Sequence, residues 1–393
     1  MSSHLGNALV VGASLAGLRA AEVLRSEGFE GPLTVVGDEP HAPYDRPPLS
    51  KAVLTDTEIP AVTLRAASAD LDIHWELGCR ATALDVAARA VSLDDGRRLD
   101  FDGLVIATGA RARVLAGTEA MERVFTLRTL DDALAVRAAI DAGARSVLVV
   151  GAGFIGSEVA ASCRERGLDV ILVEPLKQPL ARVLGEEVGS VLARLHREHG
   201  VDLRLGVGVD SVAAVPGSPG VRVTLSNGDV EQVDFVVVGL GVIPNTEWLE
   251  SSGIEIDNGV VCDQTTLVAP GIVAAGDVAR WPHRLFNETM RVEHWEHALD
   301  MGGHAARRLL AGDGPGEVYQ PVPWFWSDQY DRKLQVAGRV RPTDEMQVVD
   351  GALDDSRFCV LYGRDGAVTG VVAMNMPAKV VRYRRAIAEG LEW

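Results

Sequence analysis

Cysteine is scarce: Cys79, Cys163, Cys262 and Cys359 are the four in 393 residues, and they stand far apart. That spacing supplies neither a disulfide framework nor a zinc or iron–sulfur ligand set, and it suits a reducing cytoplasm. No CxxC or CxxxxC pair occurs, so electrons cannot be relayed through an internal dithiol. Positive charge is in deficit, with 38 Lys and Arg against 55 Asp and Glu and a formal net charge of −17. A general nucleic-acid binder needs the opposite balance. No apolar run is long enough to span a bilayer. The opening stretch MSSHLGNALVVG lacks a basic flank and a long apolar core, so a secretory signal is not expected. Aromatic residues make up only 5% of the chain, yet Trp324, Phe325 and Trp326 follow one another inside PWFWSDQYDRK. Rings at those positions either pack a half-buried strand or serve a site, and the rest of the sequence decides between the two.

An apolar content of 47% with 24% charged residues is that of a folded protein, and the length allows two or three domains. The first organised signal is ALVVGASLAGLRAAEVLRSEG, Ala8 to Gly28. An apolar strand runs into a turn of small residues and then into a helical pattern. Gly12 permits the tight turn and Gly17 permits close helix–strand packing, while Ser14 stands where a complete dinucleotide fingerprint has its middle glycine. The next strand ends at Asp38 and Glu39, about twenty residues on, where a carboxylate can accept from a ribose hydroxyl. Ordinary βαβ structure remains the competing reading of this match.

The second signal, SVLVVGAGFIGSEVAASCRERGLDVILVEP, Ser146 to Pro175, is complete. Gly151, Gly153 and Gly156 follow an apolar strand and open a helix, whose N-terminal N–H groups face the place of a pyrophosphate. The following strand ends in Glu174, which favours a free 2′-hydroxyl and repels a 2′-phosphate, so NADH is expected over NADPH. Two fingerprints ask for two nucleotides, one retained and one exchanged. LVIATGA (Leu104 to Ala110) and VVVGLGVIPNT (Val236 to Thr246) each run a strand into a glycine turn. GIVAAGDVAR places Gly276 and Asp277 just beyond a strand. Asp277 is placed to accept from ribitol or ribose hydroxyls, or to N-cap the next element, and both roles can hold at once.

The coarse order is a βαβ start, the loop HAPYDRPPLSK, a helical and β meander, a second βαβ unit from about Arg145, and a return to the first unit near Gly241. Strands are expected around 201–207 and 221–225, the latter closed by an Asn227–Gly228 turn. A helix is expected from Glu293 to Gly312. The Pro-rich joint GPGEVYQPVP precedes a last domain of four strands and a basic helix. The reading is an α/β chain with one nucleotide domain inserted in another and a small α+β domain at the end.

For chemistry, Lys51 and Glu158 are the candidate charged pair. A lysine near a flavin favours the negative charge of the reduced ring, and a nearby glutamate offsets the cost of burying that lysine. A surface lysine and a helix-start glutamate are the bland alternatives.

With both fingerprints, DRPPLSK, the ATG and GD turns, EHW and PWFWSDQY, the chain resembles the NADH-dependent ferredoxin reductases of oxygenase electron-transfer systems, over essentially its whole length. The resemblance implies two Rossmann-like three-layer domains of the glutathione reductase type plus a C-terminal α+β domain. It sets an FAD domain at 1–112 and 242–319, an NAD domain at 113–241 and the last domain at 320–393. It implies non-covalent FAD held by Gly12, Ser14, Leu15, Ala16, Gly17, Asp38, Glu39, Arg46, Lys51, Ala107, Thr108, Gly109, Gly276, Asp277 and the segment Glu293, His294, Trp295. NADH, the electron donor, is implied at Gly151, Gly153, Phe154, Ile155, Gly156, Glu174 and Gly241, with Glu158 near the nicotinamide. Trp326 is implied as a ring beside the flavin, close to a docked iron–sulfur ferredoxin. Strand alternation puts Trp324 and Trp326 on one side and Phe325 on the other.

The basic residues Arg307, Arg308, Arg332, Lys333, Lys379, Arg382, Arg384 and Arg385 are candidates for steering an acidic ferredoxin to the Trp326 side. The partner then feeds a haem-thiolate monooxygenase or a Rieske-type oxygenase. A monomer or weak dimer is expected, without nucleic acid, membrane or metal. Rubredoxin reductase is the enzyme alternative, and a redox-responsive flavoprotein resembling apoptosis-inducing factor is the non-enzyme one.

Overall fold

The computed structural model describes residues 5–64, 71–217 and 219–393. The first four residues of the opening stretch lie outside them. The chain forms two compact units, one of 1–45, 62–111 and 243–323, the other of 46–61, 112–242 and 324–393.

The first unit is built on a six-stranded sheet in the order Leu267–Ala269, Ile272–Ala274, Gly103–Ile106, Ala8–Val11, Leu33–Gly37, His74–Leu77. Its neighbours are parallel except for the antiparallel pair at the 267–269 edge. Ala8–Val11 is buried at every position, as expected of a parallel strand covered on both faces. Helix Leu15–Ser26 packs on helix Trp295–Leu310. Gly302 makes that approach possible: a Cβ there would lie 2.4 Å from the Ala16 carbonyl oxygen. Among the described residues, the stretch expected as a helical and β meander contains one helical turn, Ala52–Thr55, and the antiparallel strands Ala81–Asp85, Ala90–Leu93 and Arg98–Asp100.

The second unit repeats the design with five parallel strands in the order Asp202–Leu205, Asp169–Glu174, Ser146–Val150, Phe235–Val238, Val124–Thr126. A three-stranded meander, 209–214, 221–225 and 230–233, has the expected turn at Asn227 and Gly228 between its last two strands. The C-terminal part is an antiparallel sheet in the order Trp324–Gln329, Arg332–Gly338, Ala367–Met374, Arg357–Arg364, Glu345–Ala352, with helix Pro377–Ala388. Its Leu334, Val336, Phe358, Val360, Tyr362, Val372 and Met374 share one core with Leu184, Val188, Val191 and Leu192 of helix Ala181–Glu198. Each such buried side chain stabilises by about 1.5–3 kcal/mol, so burial against the helix contributes to holding this sheet beside its own strand pairing.

In both units the strand order reverses beside the strand that precedes the glycine loop. Ligands of open α/β sheets bind at that switch point, beyond the carboxyl ends of the strands.

Candidate functional site

The first loop leaves strand Ala8–Val11 at Gly12, whose φ of +121° is open to glycine and strained for other residues. A Cβ on Gly12 would meet the Ala107 carbonyl at 2.0 Å, and one on Gly17 would meet the Gly12 carbonyl at 1.8 Å. These two glycines are therefore required by the packing of the turn itself. Ser14, at the middle position, is the N-cap of helix Leu15–Ser26 and makes no side-chain cap hydrogen bond. Its hydroxyl is not committed to the helix end. Leu15 and Ala16 continue the first turn.

The second loop keeps the same internal contacts. Gly151 has φ +94°, and a Cβ on Gly156 would lie 1.9 Å from the Gly151 carbonyl. At Gly153 the situation differs: the nearest atom to a built Cβ is the Gly239 carbonyl oxygen at 4.0 Å. Packing does not demand glycine there. The missing side chain leaves free space at the N-terminus of helix Phe154–Glu165, the room a pyrophosphate needs. Ile155 is exposed on the same first turn. Gly241, with φ +84°, accepts from Arg113 N–H through its carbonyl.

The carboxylates that follow the two helices are not equivalent. Gly12 N–H donates to Val36 O and Gly151 N–H to Val173 O, so the matching register sets Glu174 against Gly37. Asp38 and Glu39 lie one and two residues further on. Asp38 is exposed and 3.7 Å from Arg80, while Glu39 accepts from the Tyr44 hydroxyl. Glu174 is buried at its strand end and accepts from Ala152 N–H at 2.9 Å and Leu176 N–H at 3.0 Å. Two oxygens have about four lone-pair sites, so acceptor capacity remains for ribose hydroxyls.

Other sequence-predicted residues of the first unit lie at its strand ends. Thr108 Oγ1 donates to Asn245 O, and Asn245 Nδ2 donates back to Thr108 O. Gly109 carries a φ of +63° and Ala110 does not have positive φ, so alanine is tolerated there. Gly276 has φ +74° and opens a short 3₁₀ turn, Gly276–Val278. Asp277 is buried inside that turn, whose N-cap is Ala275, so the capping alternative does not describe it. Glu293 pairs with Arg291 at 2.7 Å, and His294 is the N-cap of the helix that Trp295 begins. The Trp295 indole donates to Asp45 at 2.6 Å, and burial raises the Asp45 carboxyl above its ordinary value against that bond. Asp45 is a site-region residue that the sequence reading passed over.

In the second unit the structure brings Lys51 and Glu158 together. Lys51 Nζ lies 2.6 Å from Glu158 Oε2, with the carboxylate side chain 4% exposed and the lysine 24%. Ser50 Oγ donates to the same oxygen at 2.6 Å, and Ser327 Oγ donates to Oε1 at 2.7 Å. The helix-start and surface alternatives are set aside: Glu158 is buried mid-helix and Lys51 is its ion-pair partner. Ser162, one helical turn beyond Glu158, donates to Ser50 O at 2.6 Å. Arg137 donates to the carbonyls of Val53 and Thr57, and Arg166 to that of Leu54. Arg46 donates to Arg128 O. Segment 46–61 is thus pinned by the helices of the second unit. Ser50, Ser162 and Ser327 carry no pattern of their own in the sequence, since a lone alcohol is common in any helix, loop or strand.

Strand Trp324–Gln329 shows the expected alternation. Trp324 and Trp326 stack at 5.3 Å, while Phe325 meets Phe154 edge-on at 4.7 Å from the other side. Trp326 is on an edge strand, with Lys333 Nζ 5.9 Å from its ring centroid and bonded to Asp328 at 2.9 Å. The other basic candidates are dispersed or paired. Arg308 is buried and donates to Thr265, so it cannot belong to a surface patch. Arg307 pairs with Glu27, Arg332 with Asp331, Lys379 with Asp350, and Arg385 with Glu389. Arg382 lies over the Tyr383 ring.

All four cysteines are free and buried, and burial raises each thiol above its ordinary value, Cys163 and Cys262 to about 12. Among the described residues no helix is long and apolar enough to cross a membrane.

The family description "pyridine nucleotide-disulphide oxidoreductase" matches residues 6–302, and "reductase C-terminal" matches 324–393. Rhodocoxin reductase of Rhodococcus erythropolis is 39% identical, over 97% of this chain and 89% of that protein. The ferredoxin–NAD(+) reductase component of the anthranilate 1,2-dioxygenase system of Burkholderia cepacia is 38% identical, over 97% and 94%. Among solved structures, that of the covalent putidaredoxin reductase–putidaredoxin complex aligns with a TM-score of 0.91 at 34% identity, covering 98% of this chain and 93% of that one. With two nucleotide loops in separate units and no dithiol, the chain belongs to the pyridine nucleotide-disulphide oxidoreductase family, in its branch of ferredoxin–NAD(+) reductases that includes putidaredoxin reductase.

Proposed function

We propose that this protein takes electrons from NADH and passes them singly to an iron–sulfur ferredoxin that serves an oxygenase, either haem-thiolate or Rieske-type. The observation that carries the reading is the Lys51–Glu158 pair, which joins DRPPLSK to the helix opened by the complete glycine fingerprint. FAD, when bound, accepts two electrons as a hydride equivalent and releases them one at a time. Gly12, Ser14, Gly17, Asp38, Glu39, Thr108, Gly276 and Asp277 are assigned to holding it, together with Arg46 and the EHW backbone at Glu293, His294 and Trp295. Gly151, Gly153, Gly156 and Glu174 are assigned to NADH, with domains divided at 1–112 and 242–319, 113–241 and 320–393. Glu158 holds Lys51, Lys51 would supply positive charge favouring the reduced flavin, and Trp326 is the residue proposed to shield the flavin toward the ferredoxin. Lys333, at the Trp326 ring, is the strongest of the basic candidates for meeting an acidic ferredoxin, and a cytoplasmic setting is part of the same reading.

Anaerobic NADH should bleach the yellow protein, and cytochrome c reduction should depend strongly on an added ferredoxin. Colour that survives anaerobic NADH defeats the reading. Cytochrome c reduction indifferent to ferredoxin favours the redox-responsive alternative, and faster delivery to rubredoxin favours the other.

A further inference from the structure

We infer that Ser327 is a positioning residue for Glu158, so that the C-terminal strand carrying Trp326 also sets the geometry of the Lys51 pair. The inference rests on the roles proposed for Lys51 and Glu158.

The two oxygens of Glu158 are divided between different parts of the chain. Oε2 takes the Lys51 ammonium and the Ser50 hydroxyl; among the described residues, Ser327 is the one donor on Oε1. A carboxylate held at one oxygen can swing about it, while one held at both cannot. The hydroxyl's sense is also fixed. Gln329 Nε2 lies 3.3 Å from Ser327 Oγ and donates to it, leaving the Ser327 proton for the carboxylate. Ser327 is fully buried and Gln329 nearly so, which excludes water as the easy substitute.

The strand is docked by a second contact in the same register. Phe325 and Ser327 are two apart and share a strand face; Phe154 and Glu158 are four apart and share a helix face. Phe325 meets Phe154 while Ser327 meets Glu158. One apolar and one polar contact therefore fix the strand along the helix, with Trp324 and Trp326 turned to its opposite face. Any swing of Glu158 away from Ser327 loosens both the lysine and the strand's polar anchor.

The test is a double-mutant cycle in flavin-loaded protein, with Ser327→Ala, Glu158→Gln and the pair. Two quantities are read: the limiting rate of flavin reduction by NADH, separated from NADH affinity, and the rate at which Lys51 in the oxidised protein reacts with an amine reagent, mapped by mass spectrometry against Lys177. Ser327→Ala should slow the limiting rate by about tenfold with affinity little changed. Lys51 should label faster, as its ion pair weakens. In the Glu158→Gln background Ser327→Ala should add little to either. If Glu158→Gln slows reduction while Ser327→Ala leaves both quantities at wild-type values, or acts additively with it, the positioning role is wrong. If Glu158→Gln itself leaves the limiting rate unchanged, the reading of the Lys51 pair fails first.

Discussion

Glu158 receives Lys51 and Ser50 on one carboxylate oxygen, each at 2.6 Å, in a position where its side chain is 4% exposed. Burying either charge alone is expensive, and removing one partner of such a pair typically costs about 3–5 kcal/mol. Lys51→Met should therefore destabilise the protein, with Ser50 and Ser327 moderating the loss by continuing to donate to Glu158. Flavin reduction by NADH should slow more than NADH binding weakens. Stopped-flow reduction across a range of NADH concentrations separates the two, and a change confined to affinity contradicts the role given to Lys51.

Glu174 holds the Ala152 and Leu176 N–H groups and is assigned to the ribose of NADH. Glu174→Ala should narrow the preference for NADH over NADPH by about tenfold or more, since both an acceptor and a like-charge repulsion are lost. Absolute activity with NADH should also fall, because the Ala152 N–H loses its acceptor inside the glycine loop. Comparing kcat/KM for the two coenzymes checks this. An unchanged ratio contradicts the ribose assignment.

Trp326→Ala should impair electron delivery to ferredoxin while leaving flavin reduction by NADH near the wild-type rate. Its stacking partner Trp324 is expected to matter less. Separate measurement of the two half-reactions decides, and equal loss in both marks Trp326 as packing alone.

Much of this architecture was legible because its signals are periodic or steric. Gly12, Gly17, Gly151 and Gly156 are dictated by carbonyl contacts under 3 Å, so their spacing survives in any sequence with this turn. Trp324, Phe325 and Trp326 follow from the strand period of two. What stayed hidden depends on distant parts of the chain meeting. Ser50 and Ser327 are 277 positions apart by number (327 minus 50) and converge on one carboxylate. Arg308 reads as a surface cation at a helix end, yet it is buried against Thr265. Charge alone does not announce which side of the helix it takes.

The buried histidines give a pH dependence whose sign is fixed. Burial holds His297 down to about 3 and His196 to about 4, and it lowers His283 and His304 as well. All four are neutral in the folded protein at pH 7, whereas in the unfolded chain each takes a proton near 6.5. Stability is therefore greatest above pH 6.5 and is lost as pH falls from there toward 4 and 3, by on the order of 1 kcal/mol per pH unit for each of His297 and His196, with His283 and His304 acting in the same direction. Glu76, held near 2 by hydrogen bonds from Arg97 and then His74, adds loss only below its ordinary 4.5. His297→Phe keeps a ring against Trp281, 4.9 Å away in the stacked pair, and removes the titrating group. Its melting temperature should fall less steeply than that of the wild type between pH 6.5 and 4. Parallel slopes for the two proteins would contradict the assignment.

Adjacent glycines in helix Trp295–Leu310 should respond in opposite directions. A Cβ at Gly302 would press to 2.4 Å on the Ala16 carbonyl, which is backbone of the facing helix and cannot turn aside. Overpacking of this kind typically costs about 1–3 kcal/mol, more than the helix propensity gained by alanine. At Gly303 the nearest atom is a Val23 methyl at 3.4 Å, an ordinary contact, and the helix gains up to about 1 kcal/mol from alanine. Gly302→Ala should therefore lower the melting temperature, while Gly303→Ala leaves it unchanged or raises it. Because the facing helix begins at the Ser14 turn, Gly302→Ala should also weaken FAD retention, read as flavin released during dilution or gel filtration. If Gly302→Ala melts no lower than Gly303→Ala, the helices have room to separate, and the close approach at Ala16 is not what requires glycine.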